Sequence, residues 1–177
     1  MAALAIGDKA QGFNLPATDG SSYSLESFSG KKALAVVFSC VHCPYVLAWE
    51  DRLIQLQNDF AARGAAFVII CSNDAVKYPQ DSFEHMKIPA AGKGYPFPFV
   101  HDESQQVATS YGAERTPEVF LFDSEGVLAF HGAVDDNYEN SEEVREHWLR
   151  DALEAVTTGK PPHKQTVLPR GCSIKWK

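Results

Sequence analysis

The stretch Ala33-Leu34-Ala35-Val36-Val37-Phe38-Ser39-Cys40-Val41-His42-Cys43-Pro44 decides how the rest of the chain is interpreted. Its first six residues are all apolar, as in a strand that is buried on both faces of a parallel sheet. Two cysteines follow, Cys40 and Cys43, close enough in sequence to form a small disulfide. A strand before them and a helix after them would hold both at the carboxyl end of a sheet, where open α/β folds place their chemistry. The pattern therefore predicts a redox site.

Size and charge narrow the class of protein. The chain has 177 residues, of which 45% are hydrophobic, enough for one globular core. We predict a single domain over residues 1–177, with a core of about 31–158 and a carboxyl-terminal tail over 159–177. A formal net charge of −7 argues against a nucleic-acid or anionic-membrane partner, because both require a basic face.

The amino-terminal residues 1–9 lack the basic flank and the long apolar run of a signal peptide. No stretch reaches the roughly 20 apolar residues that a membrane helix needs. We therefore expect a cytoplasmic protein. In that reducing compartment, a close cysteine pair is more often catalytic or metal-binding than a structural disulfide.

Apolar periodicity and turn residues predict the order of elements. The first half is expected to contain a hairpin within residues 13–25, a strand at 33–39, a helix from Pro44 to about Arg63, and a parallel strand at 66–71. The second half is expected to contain a helix near 80–86, a short strand at 97–100, a helix at 104–111, an antiparallel hairpin at 118–131 and a final helix at 141–156. The last fifteen residues look like an irregular tail.

Three segments carry a resemblance to a known family: residues 38–46, 115–123 and 171–176. They resemble the thioredoxin-like superfamily, and within it the alkyl hydroperoxide reductase/thiol-specific antioxidant (AhpC/TSA) branch, in particular its small bacterial peroxiredoxin-like and thioredoxin-like proteins. The resemblance implies a thioredoxin-like three-layer α/β/α sandwich. It would have a mixed central sheet, an extra amino-terminal β-hairpin and an irregular carboxyl-terminal tail.

The two cysteines of the motif are not equivalent. Pro44 suits the first position of a helix, which makes Cys43 the amino cap. A thiolate there faces free backbone N–H groups and the positive end of the helix dipole, so its pKa is lowered. We therefore predict Cys43 as the nucleophile and Cys40 as the resolving thiol. In thioredoxins the nucleophile also falls five residues after a strand phenylalanine, here Phe38, but Val46 occupies the place of their second cysteine.

Other uses of the cysteines stay open at this stage. Both Cys40 and Cys43 could be buried core residues. A zinc site could form if Cys172 and His42 completed the ligand set. The resemblance implies that the tail packs back near the site, where Cys172 would be either a third redox thiol or a packing residue. Cys71 ends a buried strand and is expected in the core.

Four further features are candidates for a role. The resemblance implies that Thr116-Pro117 is a cis-proline loop facing the disulfide, where backbone groups could pair with a substrate chain. His42 could modulate a neighbouring thiolate. Glu118 is interpreted as a strand-end surface charge rather than a buried proton relay. The acidic run 135–139 lacks the spacing of an EF-hand loop and is interpreted as solvated.

The preferred function is a thiol–disulfide oxidoreductase that acts on a protein or small-molecule disulfide, with an upstream reductant that the sequence does not identify. No metal or cofactor is expected. The runner-up is a peroxidase of the peroxiredoxin type, although Val36 and Cys40 stand where that family has proline and threonine. A third possibility is a binding module whose cysteines are not catalytic.

Overall fold

A mixed five-stranded sheet forms the centre of the computed structural model, which describes residues 2–177. Its strand order is β5-β4-β3-β7-β8, with β3, β4 and β5 parallel and with β7 antiparallel to both β3 and β8. The strands are β1 (Asn14–Pro16), β2 (Ser22–Ser24), β3 (Ala33–Ser39), β4 (Ala65–Cys71), β5 (Phe99–His101), β6 (Arg115–Thr116), β7 (Glu118–Asp123), β8 (Leu128–Gly132) and β9 (Cys172–Ser173). The helices are α1 (Pro44–Phe60), α2 (Phe83–Gly92), α3 (Gln106–Tyr111) and α4 (Trp148–Thr157).

The central strand β3 is buried along its whole length because helices cover both faces of the sheet. Its alternate residues enter two separate core clusters. One cluster includes α1 and α4, and the other includes α3 and the loop before the β1–β2 hairpin. The predicted three-layer sandwich with a mixed sheet and an amino-terminal hairpin is therefore confirmed.

Helix α1 begins where the sequence predicts. Cys43 is the amino cap and Pro44 the first helical residue, so the missing proline N–H leaves no gap in the hydrogen-bond ladder. The α-helix ends at Phe60, and a 3₁₀ turn carries the chain to Gly64, whose φ of 88° reverses its direction. The predicted helix was thus right at its start and slightly long at its end.

Two predicted helices have different bounds. The helix expected near residues 80–86 is a 3₁₀ turn over Pro79–Asp81 followed by α2, because Ser82 caps the later start by accepting from the backbone N–H of His85. The final helix does not open at residue 141. Residues 141–143 form only a 3₁₀ turn, and the Arg145 backbone N–H is then held by Asp136 Oδ1, outside any helix.

The carboxyl-terminal tail is less irregular than predicted. Its strand β9 pairs antiparallel with β6, placing Cys172 opposite Thr116. Ile174 is buried, and its backbone N–H donates to the Glu114 carbonyl at 2.9 Å. Among residues 2–177, no helix combines the length and the apolar character needed to cross a lipid bilayer.

Candidate active site

The paired cysteines lie where β3 gives way to α1. Cys40 follows the last residue of β3, and Cys43 caps α1. Both side chains are buried, at 3% and 1% exposure. Burial alone would fit the alternative in which they are core residues, but their immediate neighbours are polar groups and a third sulfur.

Cys43 lies between the tail and the loop before β7. Its Sγ is 2.6 Å from Sγ of Cys172 and 3.3 Å from the carbonyl oxygen of Thr116. Cys40 contacts the same loop, with its Sγ 3.6 Å from the Thr116 hydroxyl. Three of the four cysteines of the chain therefore converge around Thr116.

The pKa values of these three thiols are driven apart. A hydrogen bond from the Cys40 thiol is the largest cause that lowers the pKa of Cys43, with smaller help from Cys172 and the Val46 backbone, and together they bring it to about 4. The pKa of Cys40 is raised, first by that same interaction with Cys43, then by burial and by the negative charge of Asp81. Burial, and next the Cys43 sulfur, raise the pKa of Cys172 to about 11. The surroundings therefore favour the thiolate form of Cys43 and the protonated form of its two neighbours.

The loop opposite the sulfurs has the predicted backbone form. The Thr116–Pro117 peptide bond is cis. Glu118, directly after it, is 2% exposed, so its interpretation as a surface charge was wrong. Its Oε2 accepts from the backbone N–H groups of Glu114 and Arg115 at 2.7 and 2.8 Å, and its Oε1 is 2.7 Å from Nε2 of His131. The carboxylate is buried because it satisfies the backbone of the loop.

His42 lies beside Asp81, a buried carboxylate that the sequence analysis did not identify. Its Nδ1 lies 2.8 Å from Oδ2 of Asp81 without forming a hydrogen bond, although that nitrogen is buried. Asp81 is itself fully buried and accepts from the Val41 backbone N–H and the Asn73 amide at 2.8 and 2.9 Å. It fixes the turn between the two cysteines. No motif pointed to Asp81, because it reaches this turn only through the fold of the irregular region after β4.

Within residues 2–177, the side chains of Cys40, His42 and Asp81 form a cluster of the types that can bind a metal ion. Ligand atoms of Cys40, His42 and Asp81 all lie within 4.8 Å of one another. Cys172, the ligand that the sequence suggested, is not part of this grouping, because it lies against Cys43. The zinc site considered from the sequence, in which Cys172 and His42 would complete the ligands of Cys40 and Cys43, is therefore not the cluster that the structure contains.

The two remaining candidates, the acidic run 135–139 and Cys71, have structural surroundings. Trp49 Nε1 and the Arg52 guanidinium both donate to Asp135 at 2.9 Å, and Asp135 is buried, so the acidic run is not solvated throughout. The ring of Tyr45 packs against that of Tyr138 at a tilt of 42°, with ring centroids 4.3 Å apart. These contacts fix α1 to the loop after β8. Cys71 is fully buried, as predicted, and burial raises its pKa to about 12.

The family follows from comparison with known proteins. The model of the family described as Redoxin matches residues 5–146. The chain belongs to the redoxin family. A structure of a hypothetical protein from Sinorhizobium meliloti superposes with a TM-score of 0.93 at 38% identity, covering 99% of this chain and 96% of that one.

Two further relatives have names that refer to redox chemistry. The thioredoxin domain of a thiol-disulfide oxidoreductase from Bacteroides vulgatus has a TM-score of 0.63 at 23% identity, over 73% of this chain and 89% of that one. A Mycobacterium tuberculosis protein, named provisionally as a peroxiredoxin, is 24% identical over 134 residues, which are 76% of this chain and 80% of that protein. This redoxin is thus an oxidoreductase-type member of the thioredoxin-like superfamily, in the AhpC/TSA branch.

Proposed function

We propose that this redoxin is a thiol–disulfide oxidoreductase in which Cys43 is the nucleophile and Cys40 the resolving thiol. The main support is geometric, because three sulfurs converge around Thr116 and one of them, Cys43, caps helix α1 and lies 2.6 Å from Cys172. The pKa of Cys43 is lowered to about 4, while its two neighbours keep their protons. A thiolate is the attacking form of cysteine, so one sulfur is set to attack and the others to follow.

In the first step the Cys43 thiolate attacks one sulfur of a substrate disulfide. A bond forms between Cys43 and that sulfur, the substrate S–S bond breaks, and the second substrate sulfur leaves as a thiolate that takes up a proton. The low pKa of Cys43 also makes it a good leaving group when the reaction runs in reverse.

The first step makes the Cys40 thiol more reactive for the second step. The largest cause of the raised pKa of Cys40 is its interaction with the Cys43 sulfur, and that sulfur loses its charge once it is bonded to substrate. Cys40 then gives up its proton more easily and attacks Cys43. The Cys40–Cys43 disulfide forms, the substrate leaves as a thiolate, and the substrate has gained two electrons that the protein has lost.

Release of nitrothiobenzoate from dithiobis(nitrobenzoate) tests this order of events. The reduced wild-type protein is expected to release a first equivalent rapidly at pH 7, as Cys43 attacks. In Cys43→Ser this fast phase should slow by more than about thirtyfold, since an ordinary thiol is only a few per cent thiolate at this pH. Cys71→Ala is the matched control and should react like wild type, because Cys71 is fully buried outside the cluster. A Cys43→Ser variant that retains the fast phase would refute the assignment.

A second candidate is a thiol peroxidase, favoured by the shielding of the attacking sulfur. Cys43 is 1% exposed, which suits a small oxidant better than a protein disulfide. Its thiolate would attack the outer oxygen of a hydroperoxide, giving a sulfenic acid and an alcohol, and the sulfenic acid would condense with a neighbouring thiol and lose water. The name of the Mycobacterium tuberculosis relative agrees with this activity.

Trapping the sulfenic acid separates the two functions. The double variant Cys40→Ser/Cys172→Ser is treated with hydrogen peroxide and dimedone, and adducts are located by mass spectrometry. Rapid labelling of Cys43, together with slow reaction of the wild-type protein with disulfides, would make the peroxidase the main function. Slow labelling with fast disulfide exchange supports the oxidoreductase.

A further inference from the structure

The carboxyl-terminal segment, residues 171–177, covers the loop before the cis-proline bond. Its strand β9 pairs antiparallel with β6 and places Cys172 opposite Thr116. Gly171 permits the close approach, because a Cβ at this position would lie 2.2 Å from the Thr116 carbonyl oxygen. The absence of a side chain at Gly171 therefore lets the segment pack closely against β6.

The next residues hold the segment in place. The Lys175 backbone N–H donates to Oδ1 of Asn73 at 2.9 Å, and its carbonyl oxygen accepts from the Asp74 backbone N–H at 2.7 Å. The Gln105 amide donates to the same carbonyl at 2.9 Å. The buried side chain of Ile174 adds an apolar anchor. The position of Cys172 is thus set by contacts on both sides of the sulfur-bearing residue.

Addition of an extended peptide to a free strand edge is a common way to bind a polypeptide, in which backbone hydrogen bonds give affinity. Here the chain's own tail occupies the edge. It brings the Cys172 sulfur to 2.6 Å from that of Cys43. The side chain of Cys172 is partly exposed, whereas that of Cys43 is 1% exposed. Of these two residues, Cys172 is the more exposed.

We propose that the tail occupies the position of a bound polypeptide substrate. Its Cys172 is the thiol through which an external thiol reductant regenerates the site. This rests on the proposed function, because it supplies the reducing half of the same cycle. The geometry favours a Cys43–Cys172 disulfide with one partner that is accessible and another that is shielded. An incoming thiolate attacks the accessible sulfur, Cys172, and the sulfur of lower pKa, Cys43, leaves.

Regeneration begins with an exchange of disulfides inside the protein. Cys172 attacks Cys43 within the Cys40–Cys43 disulfide, forming Cys43–Cys172 and releasing Cys40, which takes the proton that Cys172 gave up. A reductant thiolate then attacks Cys172, forming a mixed disulfide on Cys172 and freeing Cys43 as a thiolate. The thiolate of a second reductant molecule attacks the first reductant's sulfur in that mixed disulfide, which forms the reductant disulfide and releases Cys172, so that two thiols become one disulfide and the protein regains its dithiol.

Reduction by glutathione of the oxidised protein tests the assignment. Wild type and Cys172→Ser are oxidised with one equivalent of dithiobis(nitrobenzoate), freed of reagent, mixed with glutathione and quenched with acid at intervals before alkylation. Cys172→Ser should be reduced at least about tenfold more slowly, because its disulfide joins Cys40 and Cys43, which are only 3% and 1% exposed. Equal rates would overturn the proposal. Ser173→Ala, which changes the neighbouring exposed side chain, is the matched control and should be reduced at the wild-type rate.

Trapping provides a second measurement that does not depend on rates. Oxidised Cys40→Ser is expected to hold a Cys43–Cys172 disulfide, and brief exposure to glutathione should leave the adduct on Cys172. An adduct on Cys43, or no Cys43–Cys172 bond at all, would contradict the proposal. Failure of the wild-type protein to react with the disulfide reagent would instead refute the proposed function.

Discussion

At the scale of single residues, three cysteines with the same side chain have different chemistry because of their neighbours. Cys43 caps a helix and lies beside two protonated thiols, so its thiolate is stabilised. Cys40 is buried beside that sulfur and near the negative charge of Asp81, so its thiol is stabilised. The division of roles between attacking and resolving thiols therefore comes from the surroundings of each sulfur.

The pH dependence of the thiolate follows from this division. The pKa of Cys43 is about 4, so its thiolate is present above that pH and is lost as the pH falls through it. The ultraviolet absorbance of the thiolate in the reduced protein should titrate with a midpoint near this value. The midpoint should rise in Cys40→Ala, which removes the largest cause of the shift, and should not move in Cys71→Ala. A wild-type midpoint at the ordinary pH of a cysteine thiol would contradict the assignment.

Glu118 is a second residue with a measurable effect. Its carboxylate accepts from two backbone N–H groups of the loop that carries Thr116 and contacts His131. We expect Glu118→Ala to lower the free energy of unfolding by about 2 kcal/mol, because buried donors lose a charged acceptor. Urea unfolding of the reduced protein measures this. Glu142→Ala, at an exposed position, should change the same quantity by less than about 0.5 kcal/mol, and equal effects of the two variants would refute the role of Glu118.

At the scale of elements, the predictable parts were those set by local sequence. The apolar run of β3, the cysteine cap and Pro44 together fix the start of α1, and all three are visible in one stretch of sequence. The β6–β9 pair was missed because each strand has two residues and neither has a periodicity of its own. Asp81 was missed for a related reason, since a long-range hydrogen bond to Val41 gives it its role.

The β6–β9 pair can be opened by one substitution. The Cβ of Gly171→Val would meet the Thr116 carbonyl oxygen, so the tail must move away from β6. Without the tail, Cys43 becomes accessible, and its alkylation by iodoacetamide should accelerate by about tenfold or more, which corresponds to about 1.4 kcal/mol. Mass spectrometry of quenched samples gives the rate at Cys43 alone. Gly12→Ala, at an exposed glycine with open space around it, should leave the rate unchanged. An unchanged rate in Gly171→Val would show that the tail does not shield Cys43.

At the scale of the whole molecule, the fold joins parts that are far apart in sequence. The class of fold could be predicted, because the order of strands and helices follows from apolar patterns along the chain. The site could be predicted only in part. The cysteine pair and the cis-proline loop were visible in the sequence, but the position of Cys172 depends on how the chain folds over the 129 positions that separate it from Cys43.

This separation has a consequence for stability. A Cys43–Cys172 disulfide would close a loop between residues 129 positions apart, and in the chain-entropy model such a link stabilises the folded state by roughly 5 kcal/mol. A Cys40–Cys43 disulfide closes a very short loop and should add far less. Oxidised Cys40→Ser should therefore unfold at a higher urea concentration than its reduced form. Equal midpoints would show that the tail sulfur is not bonded in the oxidised variant.

The location of the first covalent bond to substrate decides whether Cys43 is the nucleophile. The double variant Cys40→Ser/Cys172→Ser has no partner to resolve a mixed disulfide at Cys43, so the first adduct should accumulate. After reaction with one equivalent of dithiobis(nitrobenzoate) at pH 6, acid quenching and site-resolved mass spectrometry, we predict a nitrothiobenzoate adduct on Cys43 at close to full occupancy. An unmodified Cys43, with the adduct on Cys71 or no adduct at all, would contradict the account.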